Sequence, residues 1–432
     1  MTLVLKLLHA HRHKSSEFNA ITKENNFMSK KIRNFTFITH FCSLAMAVTL
    51  FGCNSQNGNV RATPPQGASD APTIIATRDS DKNVRNVSTP GSTTSNASIA
   101  VPLAVSSTRP MIAPQSNESE SNEKEPTFLE LCGKTRPRPG KEESESKTPL
   151  EITLDELRRL VTDKYSLSLT CSELEKRLGL LEWVDLSYSK ISDLRPFRAL
   201  VNVRDLLLSN NEITDVSPLK SLTHLMGVSL DYNKISDISG LKGLNGANLT
   251  FLWLQNNQIS DLSALTGLVK LDDLNLNSNR ISDITPLVSM TSLMDLHLEN
   301  NSIDDLSSFQ NMRKLNRLYL SNNKIKDISV LRELTSLVWL ELSLNQISDI
   351  GALSGMVNLE QLEIAENGIN DLTPLNELPK LRGLDISKNK ITTLQGLIKL
   401  PSLRFLGASG NYLAPQEIES FKARFPEVGY IF

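Results

Sequence analysis

From residue 178 to residue 413, apolar and polar positions alternate in a unit that returns every 22 residues. In one copy, Leu271, Leu274 and Leu276 show the every-second-residue spacing of a short strand, with Asp273 and Asn275 facing the other way. Asn279 follows, and its side-chain amide is suited to satisfy backbone groups where the chain turns inward. Ile281 then points into the core. Asp283 is placed to cap a short helical turn starting at Ile284, and Leu287 and Met290 close the back of the unit.

The asparagine recurs as Asn211, Asn233, Asn257, Asn279, Asn301, Asn323, Asn345, Asn367, Asn389 and Asn411. Every step is 22 residues except Asn233 to Asn257, which is 24. Ser189 holds the same slot one period earlier, so eleven copies are expected. The aspartate recurs with it, as Asp193, Asp215, Asp237, Asp261, Asp305, Asp327, Asp349 and Asp371. One identical carboxylate per unit is what capping requires; an active site would concentrate its acids. The two extra residues in Leu244–Asn248 read as an insertion tolerated on the return side of one coil.

The Leu-x-x-Leu-x-Leu-x-x-Asn unit resembles the leucine-rich-repeat family, specifically the short 22-residue subclass of bacterial internalins and of the eukaryotic regulatory subunit of protein phosphatase one. The resemblance implies an α/β solenoid, curved and right-handed. A parallel sheet would line its concave face, with 3₁₀ and extended segments on the convex side. Eleven strands about 4.8 Å apart would give a surface on the order of 50 Å long. Each coil of such a solenoid touches only its neighbours, so both ends need caps. The sequence offers them. Residues 127–177 read as an N-terminal helical cap, with a capping box at Thr153-Leu154-Asp155-Glu156 leading through Leu157, Leu160 and Val161. Cys132 and Cys171 make this segment similar to the cysteine-paired caps of secreted repeat proteins. Residues 414–432 read as a C-terminal cap: an amphipathic helix from Pro415 to Phe425 bearing Ile418, Phe421 and Phe425, then an edge segment from Val428 to Phe432. With no Leu-Pro-x-Thr-Gly motif or immunoglobulin-like module after the repeats, the internalin resemblance is expected to stop at the solenoid.

Register sorts the outward positions, which lie six, four and two residues before each asparagine. All three tryptophans, Trp183, Trp253 and Trp339, fall there, in a chain with only 5% aromatics. The candidate partner-binding residues on the concave face are Phe251, Trp253, Asp273, Asp295, His297, Glu299, Arg317, Tyr319, Trp339, Glu341, Glu363 and Asp385. Solvent-facing rings among acids suit a protein or peptide with basic and apolar elements. Aromatics also favour strands for their own packing. His297, with Asp295 and Glu299 nearby, has no second histidine or cysteine to complete a metal site, and reads as a polar interface residue.

With 46 basic and 48 acidic residues, the overall charge gives no reason to expect a nucleic acid. Residues 1–53 read as a leader and signal peptide, with the true start at Met28. Lys30, Lys31 and Arg33 precede an apolar stretch from Phe41 to Gly52, too short for a comfortable membrane span. Leu50-Phe51-Gly52-Cys53 resembles the lipobox of bacterial lipoproteins, which implies lipidation of Cys53; an ordinary secretory signal is the other reading. The His9-x-His11-x-His13 spacing lies in this leader and reads as incidental. Residues 54–126, rich in Ser, Thr, Asn and Pro, read as a disordered tether, and Lys134–Lys147 as a solvated loop. With Cys42 in the apolar stretch, Cys132 and Cys171 remain as an even pair, suited to a disulfide in an oxidising compartment.

The sequence carries no nucleophile–base pair, metal cluster or phosphate loop. The expectation is therefore a non-enzymatic, monomeric protein without cofactors, lipid-anchored in a bacterial cell envelope (the outer membrane in a Gram-negative cell), that recognises a protein or peptide. The alternative is an intracellular regulatory scaffold like the phosphatase subunit.

Overall fold

The computed structural model describes residues 125–134, 147–162, 169–244 and 248–432. The signal segment, Cys53, the tether up to residue 124 and the insertion at residues 245–247 lie outside the described residues, as does most of the Lys134–Lys147 segment.

Twelve three-residue strands form one parallel sheet in strict sequence order. They are β1 (Trp183–Asp185), β2 (Asp205–Leu207), β3 (Gly227–Ser229), β4 (Phe251–Trp253), β5 (Asp273–Asn275), β6 (Asp295–His297), β7 (Arg317–Tyr319), β8 (Trp339–Glu341), β9 (Gln361–Glu363), β10 (Gly383–Asp385), β11 (Phe405–Gly407) and β12 (Gly429–Ile431). Pairing is residue for residue, so Leu274 lies beside Leu252 and Leu296, and every copy of a repeat position falls in one row. The central residue of each repeat strand points inward and is buried, as are the isoleucines of the Ile281 row and the leucines of the Leu287 row. The fold is a leucine-rich-repeat solenoid. β1–β11 are the eleven expected copies; β12 belongs to the C-terminal segment.

The asparagine row does more than turn the chain. Asn323 Nδ2 donates to Leu320 O in its own coil (3.0 Å) and to Leu298 O in the preceding one (2.9 Å). Its Oδ1 accepts from Ile303 N (3.0 Å), also in the preceding coil. Each such amide therefore stitches two coils, using both its donor and its acceptor where water has little access. Asn411 serves Asn389 and Ile391 in the same way.

The aspartates sit one residue ahead of the expected capping position. The 3₁₀ turn that includes Thr285–Leu287 has Ile284 at its N-cap, and Asp283 Oδ1 accepts from Thr285 N at 2.8 Å. This two-residue reach is an Asx-turn, and it recurs from Asp193 to Asp371. Pro196, Pro218, Pro286 and Pro374 occupy the first turn of their 3₁₀ segments, where a missing N–H is harmless.

The N-terminal cap corrects one expectation. Helix α1 is Phe128–Lys134, α2 is Pro149–Val161 and α3 is Cys171–Leu178. The capping box of α2 is Thr148 with Glu151; Thr153 and Glu156 do not form one. Pro149 at the first helical position starts the helix a turn earlier, and buried Thr153 donates its hydroxyl to Pro149 O inside it. A second box, Thr170 with Glu173, begins α3. Cys132 and Cys171 form a disulfide that joins α1 to α3. At the other end, helix α4 (Pro415–Arg424) packs Phe421 against Phe425 and Phe432. Glu417 there accepts from Leu394 N and the Thr393 hydroxyl, backbone and side-chain donors of the last coil but one.

Candidate functional site

The outer face of the sheet is set by register alone. The row containing Asp205, Gly227, Phe251, Asp273, Asp295, Arg317 and Trp339 runs beside one containing Ser229, Trp253, Asn275, His297, Tyr319, Glu341, Glu363 and Asp385. Every candidate concave-face residue lies on β4–β10 or, for Glu299, two residues past β6. They form one contiguous strip.

The rings on this strip are less exposed than expected. Phe251 and Tyr319 retain 5% of their surface and His297 retains 8%. The rings and neighbouring side chains of adjacent strands cover one another. Phe251 leans across Gly227, where a Cβ would lie 1.9 Å from the Phe251 ring, so any side chain there would have to displace that ring. His297 and Tyr319 stack in parallel, and the Trp339 ring tilts against Tyr319 with centroids 6.3 Å apart. Trp253 and Trp339 stay half-buried.

Carboxylates hold the indoles. Trp253 Nε1 donates to Asp273 Oδ1 (3.2 Å) and Trp339 Nε1 to Glu341 Oε1 (2.7 Å). Between these two anchors Arg317 pairs with Asp295 through both Nε and Nη2, a two-pronged contact that fixes the guanidinium plane. Asn277 and Glu299 exchange two further bonds, Asn277 Nδ2 to Glu299 Oε2 (2.5 Å) and Glu299 N to Asn277 Oδ1 (2.7 Å).

This arrangement disfavours the charged form of Asp273, Glu341 and Glu363. Burial, with the neighbouring charge of Asp295, pushes Asp273 up to about 7. Burial, then Glu363, then Glu299 lift Glu341 above the ordinary carboxylate range. Glu363 rises for the same reason, beside Asp385 and Glu299. A strip of acids reluctant to ionise is one that gains from a cation arriving. Asp237, Asp283 and Asp327 in the turns behave oppositely: the Thr285 hydroxyl and N–H hold Asp283 below the usual range, consistent with a structural role.

Sequence reasoning missed two polar features. Ser209 and Ser229 both donate to Asp231, giving a polar knot across the rows two and four before the asparagines. Tyr188 and Tyr232 stand out from the edge of the sheet, 77% and 52% exposed. Their signal was an aromatic directly before the asparagine slot, a place outside the outward rows. Among the described residues, no group of three or more His, Cys, Asp or Glu could hold a metal ion. No described helix is long and apolar enough to cross a membrane.

The chain belongs to the leucine-rich-repeat family. The family model "Leucine Rich repeats (2 copies)" matches residues 201–243, 247–289, 291–333 and 335–377. The chain is similar to an internalin (inlF) of Listeria monocytogenes, with 30% identity over 65% of this chain and 87% of that one, at a TM-score of 0.59. It is also similar to the plant peptide hormone receptor RGFR1, solved in complex with RGF2, with 26% identity and a TM-score of 0.51. That match covers 59% of this chain and 44% of the receptor. No curated protein matches.

Proposed function

We propose that this chain is a non-enzymatic recognition protein that captures a protein or peptide on the β4–β10 strip. One observation carries the reading: two half-open indoles, Trp253 and Trp339, are each pinned by a carboxylate and bracket a run of acids. Rings held in place lose little freedom on binding, and acids raised by burial are stabilised by a basic side chain of the partner. The ligand this chemistry suits presents Lys or Arg beside apolar groups. The likeness to a plant peptide hormone receptor, solved in complex with RGF2, supports a peptide or protein as the ligand class.

The same reading puts the protein on a bacterial cell envelope, tethered through a lipid on Cys53 and the Ser/Thr-rich segment that follows. The Cys132–Cys171 disulfide supports an oxidising compartment over the cytosol. Metabolic labelling with palmitate tests the anchor: Cys53→Ser must lose the label and leave the membrane fraction. An unlabelled, soluble wild-type protein defeats this part of the proposal.

A further inference from the structure

The residue directly before each ladder position adopts a left-handed backbone, with φ between 52° and 59° at Tyr188, Asn210, Tyr232, Asn256, Ser278, Asn300, Asn322, Leu344, Glu366 and Lys388, and 70° at Gly410. Asparagine fills this slot four times, as its tolerance of that conformation predicts. Tyrosine is an unfavourable choice there, yet it appears at Tyr188 and Tyr232 with Asn210 between them. Neither ring offsets the strain by packing, since both are exposed.

The two tyrosines, Asn210, Asn256 and Lys234 line an open cavity of about 500 Å³ along this edge. Lys234 is neutralised by Glu212 at 2.9 Å, so the cavity presents no uncompensated charge. Tyr188 and Tyr232 lie two coils apart, about 9.6 Å by strand spacing, a length that suits the two-sugar repeat of an extended 1,4-β-linked glycan. Sugar C–H faces stack on exposed aromatic rings, and an amide carries both a donor and an acceptor for adjacent hydroxyls. The backbone N–H groups of Tyr188 and Tyr232 already donate to Ser209 O and Gln255 O, so recognition along this edge falls to the side chains.

We propose that the Tyr188–Tyr232 edge binds an extended, neutral 1,4-β-linked glycan, one sugar face on each ring with Asn210 between them. This site is separate from the β4–β10 strip.

The test is calorimetric titration of cellotetraose and chitotetraose into the full chain. Saturable binding of at least one is expected. Tyr188→Asn and Tyr232→Asn should each weaken it at least fivefold without lowering the melting temperature, since asparagine already fills this slot in four coils. Tyr188→Phe and Tyr232→Phe should stay within twofold, because the ring face is the contact. Trp253→Ala with Trp339→Ala should leave glycan binding intact, which separates this site from the protein-binding strip. No saturable binding of either glycan overturns the proposal, as does binding that ignores both asparagine variants. Loss of protein capture by the tyrosine variants, without glycan binding, would make this edge part of a protein interface and also overturn it.

Discussion

The His297 and Tyr319 rings lie face to face, centroids 4.2 Å apart and 6° from parallel, on neighbouring strands of the open sheet face. A stacked pair of this kind contributes about 1 kcal/mol beyond the area it buries. Comparing His297→Ala, Tyr319→Ala and the double variant by urea unfolding should therefore give a coupling energy of about 1 kcal/mol. Strictly additive losses would mean that the stacking stabilises nothing.

The asparagine stitch predicts a larger cost. Asn323→Ala removes two donors and one acceptor from a buried position, stranding Leu298 O, Leu320 O and Ile303 N. Unfolding experiments should show a loss of about 3 kcal/mol. Ser321→Ala, two residues earlier on the outer face, should change stability by under about 0.5 kcal/mol. Equal losses would remove the special role of the amide.

Stability should fall with rising pH through the range set by Asp273. The folded protein holds the Asp273 proton to about pH 7, whereas the unfolded chain releases it near the ordinary value of about 4. Between those limits the folded state binds more protons, so deprotonation favours unfolding. Asp273→Asn keeps an acceptor for Trp253 Nε1 and removes the charge. It should stabilise the protein by up to about 4 kcal/mol near pH 8 and by almost nothing near pH 4. A pH-independent effect in thermal melts would contradict this assignment.

Much of the fold is legible in the sequence because its determinants are local and repeated. The 22-residue period by itself aligns Leu274 with Leu252 and Leu296, as the strands pair. Two kinds of feature are hidden. The start of α2 depends on Pro149 fitting the first helical position, which lets Thr148 and Glu151 form the capping box in place of Thr153 and Glu156. The burial of Phe251 and Tyr319 depends on which way each ring leans across its neighbour, and the Gly227 gap decides that for Phe251. Register names the row a residue occupies; it does not say how far neighbouring side chains cover it. The raised carboxyl of Asp273 follows from that same covering.

Capture of a protein or peptide by the pinned indoles of the β4–β10 strip is tested most directly by partner retention on the immobilised chain. The comparison is with a Trp253→Ala, Trp339→Ala double variant whose melting temperature is checked alongside. A partner carrying basic and apolar groups should be retained by the wild type, and its affinity should fall at least a hundredfold in the double variant, with melting within a few degrees. Undiminished capture by a folded double variant would contradict the assignment of the strip.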